Sequence, residues 1–134
     1  MPEIPRQPFT QGFAKLIGLE VTEAAEDAIH ARVDVRPELL QPAGLVDGGV
    51  YATIAENVCS IGTYVSVNAE RGAIALGLSN QTSFLRPITE GAIHVLARAR
   101  HRGRTTWVWE VDFRDDAERL CALSLMTVAV RDPA

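Results

Sequence analysis

Residues 48–69 read GGVYATIAENVCSIGTYVSVNA and carry a single charge, on Glu56. Val50, Ile54, Val58, Ile61 and Val65 recur at the i, i+4, i+7 spacing that lines one side of a helix with apolar side chains. A helix with so little charge is buried on most sides, so it needs a large apolar surface to lie against. Asp47 stands where an N-cap acceptor is required, and Gly48-Gly49 lets another group approach that end closely.

The sequence on the C-terminal side supplies that surface. Residues 73–85, 92–101, 105–114 and 119–130 read as strands, broken by Arg86-Pro87 through Gly91, by Arg102-Gly103-Arg104, and by residues 115–118. Alternation is plain where Trp107, Trp109, Val111 and Phe113 interleave with Val108, Glu110 and Asp112. Short links between consecutive strands make an antiparallel sheet. On the N-terminal side, Phe9, Phe13, Leu16 and Ile17 recur at helical spacing before Gly18, predicting a short helix over residues 8–19. Residues 19–25 and 28–35 predict a hairpin turning at Glu26-Asp27, and residues 36–47, with two prolines and Gly44, a loop. The order is two strands, one long helix, four strands. An antiparallel sheet must bury its apolar face, and the charge-poor helix is its natural partner. The expected class is α+β, one sheet wrapped round a central helix as in the hotdog fold. Other one-helix α+β folds stay open on pattern alone.

The composition narrows the function. A chain of 134 residues with 47% hydrophobic content fills one core and one domain without metal or disulfide. A net charge of −4 argues against nucleic-acid binding, which needs a basic surplus, and any polyanionic ligand must be met by local arginines. The start of the chain lacks the basic and apolar regions of a signal peptide, and no stretch is long enough to span a membrane, so a soluble cytoplasmic protein is expected. Cys59 and Cys121 sit in apolar stretches and read as reduced core residues. His30, His94 and His101 fall on different strands without metal-ligand spacing; no metal or other cofactor is expected. Trp107 and Trp109 share a strand face and suit a core or a subunit interface.

Glu56 is the outlier of the helix. It lies roughly opposite Ile54, with Ser60 beside it one turn on, on a face that the wheel shares with Ala52, Thr53, Cys59 and Thr63. A carboxylate there is either solvated or a tuned acid–base group. A helix N-terminus at Gly48 or Gly49 offers an unpaired N–H to a carbonyl oxygen that becomes anionic during acyl transfer. Gly-Gly before a helix equally suits close packing.

The run from Gln41 to Ser60, QPAGLVDGGVYATIAENVCS, resembles the central motif of hotdog-fold acyl-CoA thioesterases. It is most similar to the branch containing 4-hydroxybenzoyl-CoA and 1,4-dihydroxy-2-naphthoyl-CoA thioesterases. Residues 77–80 (GLSN), 84–87 (FLRP), 101–104 (HRGR), 109–112 (WEVD) and 119–122 (RLCA) extend the likeness over the domain beyond the first helix. The resemblance implies Glu56 as nucleophile or general base, Gly48 N–H as donor to the thioester carbonyl, Gln41 as an orienting group, and Ser60 near Glu56 or the leaving sulfur. It implies coenzyme A contacts from Arg86, Arg102 and Arg104, with Asp47, Gly49, Asn80, Phe84, Pro87 and Gly103 lining the site; for Phe84, core packing is the stronger expectation from the residue type. It implies hydrolysis of an aryl or otherwise bulky acyl-CoA to free CoA and a carboxylic acid, without cofactor, by a homodimer or homotetramer whose sites lie between subunits. Relatives often carry His directly before the Gly-Gly pair. Asp47 occupies that position here, an acceptor suited to capping. Two other readings are open: an acyl-thioester dehydratase or hydratase, which usually needs a site His that this helix and its loop lack, and a non-catalytic acyl-CoA-binding protein.

Overall fold

The computed structural model describes residues 11–25 and 27–133. The elements in chain order are α1 (Gly12–Leu16), β1 (Glu20–Ala24), β2 (Ala28–Asp34), a 3-10 turn (Pro37–Leu39), α2 (Gly48–Arg71), β3 (Ile74–Phe84), β4 (Ala92–Arg102), β5 (Thr106–Arg114) and β6 (Leu120–Arg131). Among the described residues the short first helix is Gly12–Leu16, inside the span the sequence predicts; Phe9 lies outside the described residues, as does Glu26 of the first hairpin. Ala25 N–H donates to Ala28 O across that hairpin at 2.8 Å. The expected loop over residues 36–47 holds the 3-10 turn and a bridge between Leu40 and Val46.

All six strands form one antiparallel sheet in the order β1-β2-β4-β5-β6-β3. The expected chain of neighbours breaks once. Strand β3 pairs with β6 and occupies an edge, and residues 85–91 carry the chain across to β4 near the middle of the sheet. Leu85 and Arg86 anchor that crossing by donating both backbone N–H groups to Cys121 O at 2.8 and 3.0 Å.

Helix α2 runs two residues beyond Ala69, to Arg71. Asp47 opens it by accepting from Gly49 N–H at 2.8 Å, and Gly72, at φ 69°, closes it in the left-handed conformation that glycine adopts without steric cost. Its buried face is Val50, Tyr51, Ile54, Ala55, Val58, Cys59, Gly62, Thr63, Ser66 and Val67, laid mainly on β3 and β6. This is a correction to the wheel. Cys59 and Thr63 look into the sheet, away from Glu56, while Ile61 and Val65 are half-buried at the border. The reason is a hydrogen bond: the fully buried Trp109 donates Nε1–H to Thr63 Oγ1 at 2.9 Å, and Thr63 in turn donates to Cys59 O. An indole N–H left alone in a core is expensive, so the helix turns its threonine toward it. Trp107 stacks beside Trp109 at 6.0 Å, and both belong to the core.

The helix approaches the sheet this closely because residue 62 has no side chain. A Cβ there would stand 2.5 Å from Ile29 Cδ1 and 2.9 Å from Trp109. Gly62→Val is therefore expected to destabilise the fold by about 2–3 kcal/mol through overpacking, seen as a lower urea midpoint with an unchanged slope. A midpoint equal to wild type would mean that helix and sheet separate at no cost, contrary to this packing.

Candidate active site

The helix starts where three elements meet: the loop through Gln41, the end of β3 at Phe84, and the crossing at Arg86-Pro87. They enclose a cleft of about 480 Å³ lined by Gln41, Leu45, Gly48, Tyr51, Phe84 and Arg86 among others. Among the described residues, Gly48 N–H has no hydrogen-bond partner, whereas Gly49 N–H is taken by Asp47 and Val50 N–H by Asp47 O. The first N–H groups of a helix have no intrahelical acceptor, and the aligned peptide dipoles place partial positive charge there. The uncommitted donor of a 24-residue helix thus belongs to a residue that lines a cleft. Gln41 is folded back, its Oε1 accepting from Ala43 N–H, which leaves its amide NH₂ without a partner among the described residues.

Phe84 departs from the core role expected of it. It is 60% exposed, and its ring lies flat enough on the helix start that a Cβ at Gly48 would meet Phe84 Cζ at 2.7 Å. The ring sits 6.0 Å from Tyr51, whose own ring meets Phe113 edge-on at 5.2 Å. Burial, with a smaller contribution from the neighbouring Cys121 thiol, pushes the Tyr51 phenol up to about 12, so it is a neutral hydrogen-bonding group at working pH.

Glu56 lies in a second cleft, of about 340 Å³, with Asn57, Ser60, Ile61, Tyr64 and Ala75. Its carboxylate has no hydrogen bond or ion pair among the described residues and is exposed in the single chain. The threonine hydroxyls of the helix and that of Ser66 are spent on their own backbone: Thr53 on Gly49 O, Thr63 on Cys59 O, Ser66 on Gly62 O. The hydroxyls of Ser60 and Tyr64, one and two turns beyond Glu56, are not. Glu56, Ser60 and Tyr64 therefore make a polar stripe with free hydrogen-bonding capacity. Tyr64 was missing from the residues singled out in the sequence, although its i+8 spacing from Glu56 was there to be read. Burial, then the charge of Glu56, pushes the Cys59 thiol well above its ordinary range, and burial raises Cys121 too; both are free, buried thiols whose shifts favour the protonated form.

The other expected site residues separate. Asn80 reaches across from β3 and donates to Ala52 O at 2.9 Å, tying the edge strand to the helix. Asp47 and Gly49 flank an apolar cleft of about 520 Å³ with Phe13, Leu16, Leu39 and Val50. Arg86 and Pro87 line the Gly48 cleft. Arg102, Gly103 and Arg104 belong to the opposite end of the helix: Arg71, in its last turn, bonds to Arg104 O, and both arginines pair with Asp132 at 2.9 and 3.3 Å. The Arg102 guanidinium lies 4.8 Å from the centre of the Trp107 ring. The helix is about 36 Å long at 1.5 Å per residue, so Arg86 and Arg104 of one chain stand at opposite ends.

A six-stranded antiparallel sheet folded on one long helix defines the hotdog fold. The thioesterase superfamily model matches residues 43–122, and the chain belongs to that family. It is 38% identical to the candidate esterase Rv1847 of Mycobacterium tuberculosis over 84% of this chain and 81% of that protein. The solved structure of Rv1847 superimposes with a TM-score of 0.85, covering 91% of this chain and 98% of the other. A 1,4-dihydroxy-2-naphthoyl-CoA hydrolase of Listeria monocytogenes is 31% identical over 90% of this chain and 96% of its own. The thioesterase HI1161 of Haemophilus influenzae, at 27% identity, gives a TM-score of 0.81 with 96% of both chains covered. Among the described residues, no helix is long and apolar enough to cross a membrane.

Proposed function

We propose that the protein hydrolyses acyl-CoA thioesters with a bulky, aryl-type acyl group, releasing CoA and a carboxylic acid. The observation that carries this reading is the presence on one helix of an uncommitted N–H donor, Gly48, and an uncommitted carboxylate, Glu56. Thioester hydrolysis needs these two groups: a donor for the oxygen that becomes anionic, and a base or nucleophile for the carbonyl carbon. Glu56 either takes a proton from attacking water or attacks the carbonyl itself, forming an anhydride that water then opens. In both routes the sulfur leaves as CoA thiolate and takes up a proton, with Ser60 placed to donate toward it. The Gln41 amide is placed to orient the carbonyl beside Gly48.

The two groups are eight residues apart on a straight helix, about 12 Å at 1.5 Å per residue. One thioester carbonyl cannot touch both, so a second copy must bring its own Gly48 to this Glu56. Strand β3 offers the seam. It is an edge strand whose Ile74, Leu76 and Leu78 are 45%, 54% and 58% exposed, an arrangement that soluble proteins cover. Antiparallel pairing of two β3 strands about a two-fold axis continues the sheet and lays the two α2 helices side by side in opposite directions, donor against carboxylate. That arrangement also places the Arg86 of one protomer on the same side as Arg102 and Arg104 of the other, where phosphate groups of one CoA can meet both. Within a soluble cytoplasmic setting the same reading fits a homodimer, or a homotetramer built from such pairs.

The test is thiol release from a panel of aryl and aliphatic acyl-CoA esters, followed with a chromogenic thiol reagent and paired with light scattering. The expected outcome is release by a dimer or larger species, fastest with aryl esters. A fully active monomer would rule out the shared site.

A further inference from the structure

Strand β3 contains a glycine that its own dihedral angles do not require. Gly77 lies outside the left-handed φ region, so its conformation is open to any residue. It is in the interior of a strand, where glycine weakens pairing and offers no side chain to pack. A Cβ built on it would meet, as its three nearest atoms, Glu56 Oε1 at 2.5 Å, Oε2 at 2.9 Å and Cδ at 3.0 Å. The missing side chain is a notch, and what fills it is the carboxylate of Glu56.

Two neighbouring features fit that notch. The β3–β6 register slips between Gly77, opposite Val128, and Ser79, opposite Thr127, so Leu78 is an extra residue in the edge strand. Bulges of this kind bend a strand locally and re-aim the side chains around them, often beside active sites. On the helix side, Glu56 has no hydrogen bond or ion pair among the described residues to fix its long, flexible side chain. Contact with the bare backbone of Gly77 is what limits where its carboxylate lies.

We infer that Gly77 is a positioning residue for the reaction: its missing side chain sets the location of the Glu56 carboxylate. The inference rests on the functional reading above and deepens it. It contrasts with Gly62, where an added Cβ meets rigid core atoms of Ile29 and Trp109. At Gly77 the three atoms nearest the added methyl all belong to the carboxylate end of the Glu56 side chain, which is exposed in the single chain and can swing away. The fold loses little, and the reaction loses its carboxylate.

The experiment compares wild type, Glu56→Gln, Gly77→Ala, Glu56→Asp and the Gly77→Ala/Glu56→Asp pair, each by thiol release, thermal melting and light scattering. Gly77→Ala is expected to keep its melting temperature and assembly mass and its KM within about twofold, while kcat falls about a hundredfold, the effect of misplacing a reacting group by an ångström. In the Glu56→Asp background the shorter acid has already withdrawn from the methyl, so adding Gly77→Ala is expected to change kcat by less than about twofold. Wild-type kcat in Gly77→Ala overturns the inference. So does a loss that tracks melting or dissociation, or one of equal size in the aspartate background. If wild type releases no thiol, or Glu56→Gln keeps its turnover, the functional reading itself fails; if those two behave as expected and Gly77→Ala is normal, only the role of Gly77 fails.

Discussion

Glu56→Gln is expected to fold like wild type and to lose thiol release by about 10²–10⁴-fold, the range that one acid–base or nucleophilic group contributes. Retained folding follows from the local structure. The carboxylate is exposed in the single chain and has no hydrogen-bond or ion-pair partner among the described residues, so neutralising it strands no buried donor. The amide keeps the shape that occupies the notch at Gly77, so packing is held while basicity and nucleophilicity are removed. Loss of kcat with an unchanged melting temperature and unchanged KM assigns Glu56 to the chemical step. Turnover at the wild-type rate in this variant would sink the assignment. Should wild type release no thiol from any ester, loss of absorbance from an enoyl-CoA would favour the dehydratase reading, and tight acyl-CoA binding without turnover the binding protein.

The sequence made α2 legible because its signals are local. Charge depletion and a capping Asp47 depend only on residues within a turn or two of each other, and the helix starts where they say it does. Strand existence was equally local, through alternation such as that of Trp107 to Phe113. Strand order was not, since nothing in residues 73–85 records that their partner is β6, at the far end of the chain, and not β4, next in the chain. A glycine inside a strand, such as Gly77, hints at a bulge but does not give the slip at Gly77–Ser79, and without it the register that brings Gly77 under Glu56 cannot be worked out. The wheel assigned Cys59 and Thr63 to the face of Glu56 because it counts angles alone; the buried indole of Trp109, supplied by a distant strand, decides which way Thr63 turns. The same limit applies to the arginines. Arg86, Arg102 and Arg104 looked like one phosphate-binding set, and the fold puts them at two ends of a helix, so they converge only if two copies combine.

Two inactive variants are expected to restore activity when combined in one dimer, and that result depends directly on the 12 Å argument. The second variant is Gly48→Pro. Proline removes the N–H outright, and the first position of a helix is where it fits best. Asp47, at φ −62° and ψ 135°, already has the extended conformation that a residue before proline requires. The Phe84 ring must turn aside, which its 60% exposure allows, and Phe84→Ala measured alone separates that movement from the loss of the donor. Removing one oxyanion donor costs about 10²–10³-fold in kcat, so Gly48→Pro is nearly silent by itself, as is Glu56→Gln. If donor and carboxylate come from different protomers, a mixed dimer has one site that lacks both groups and one that keeps both. Random mixing makes half the dimers mixed, each with one intact site of two, so co-refolded protein should regain about a quarter of wild-type activity. If each site instead draws Gly48 and Glu56 from a single chain, every site in every dimer lacks one of them. Mixing then restores nothing, and the two-fold site is wrong however active the wild type proves to be.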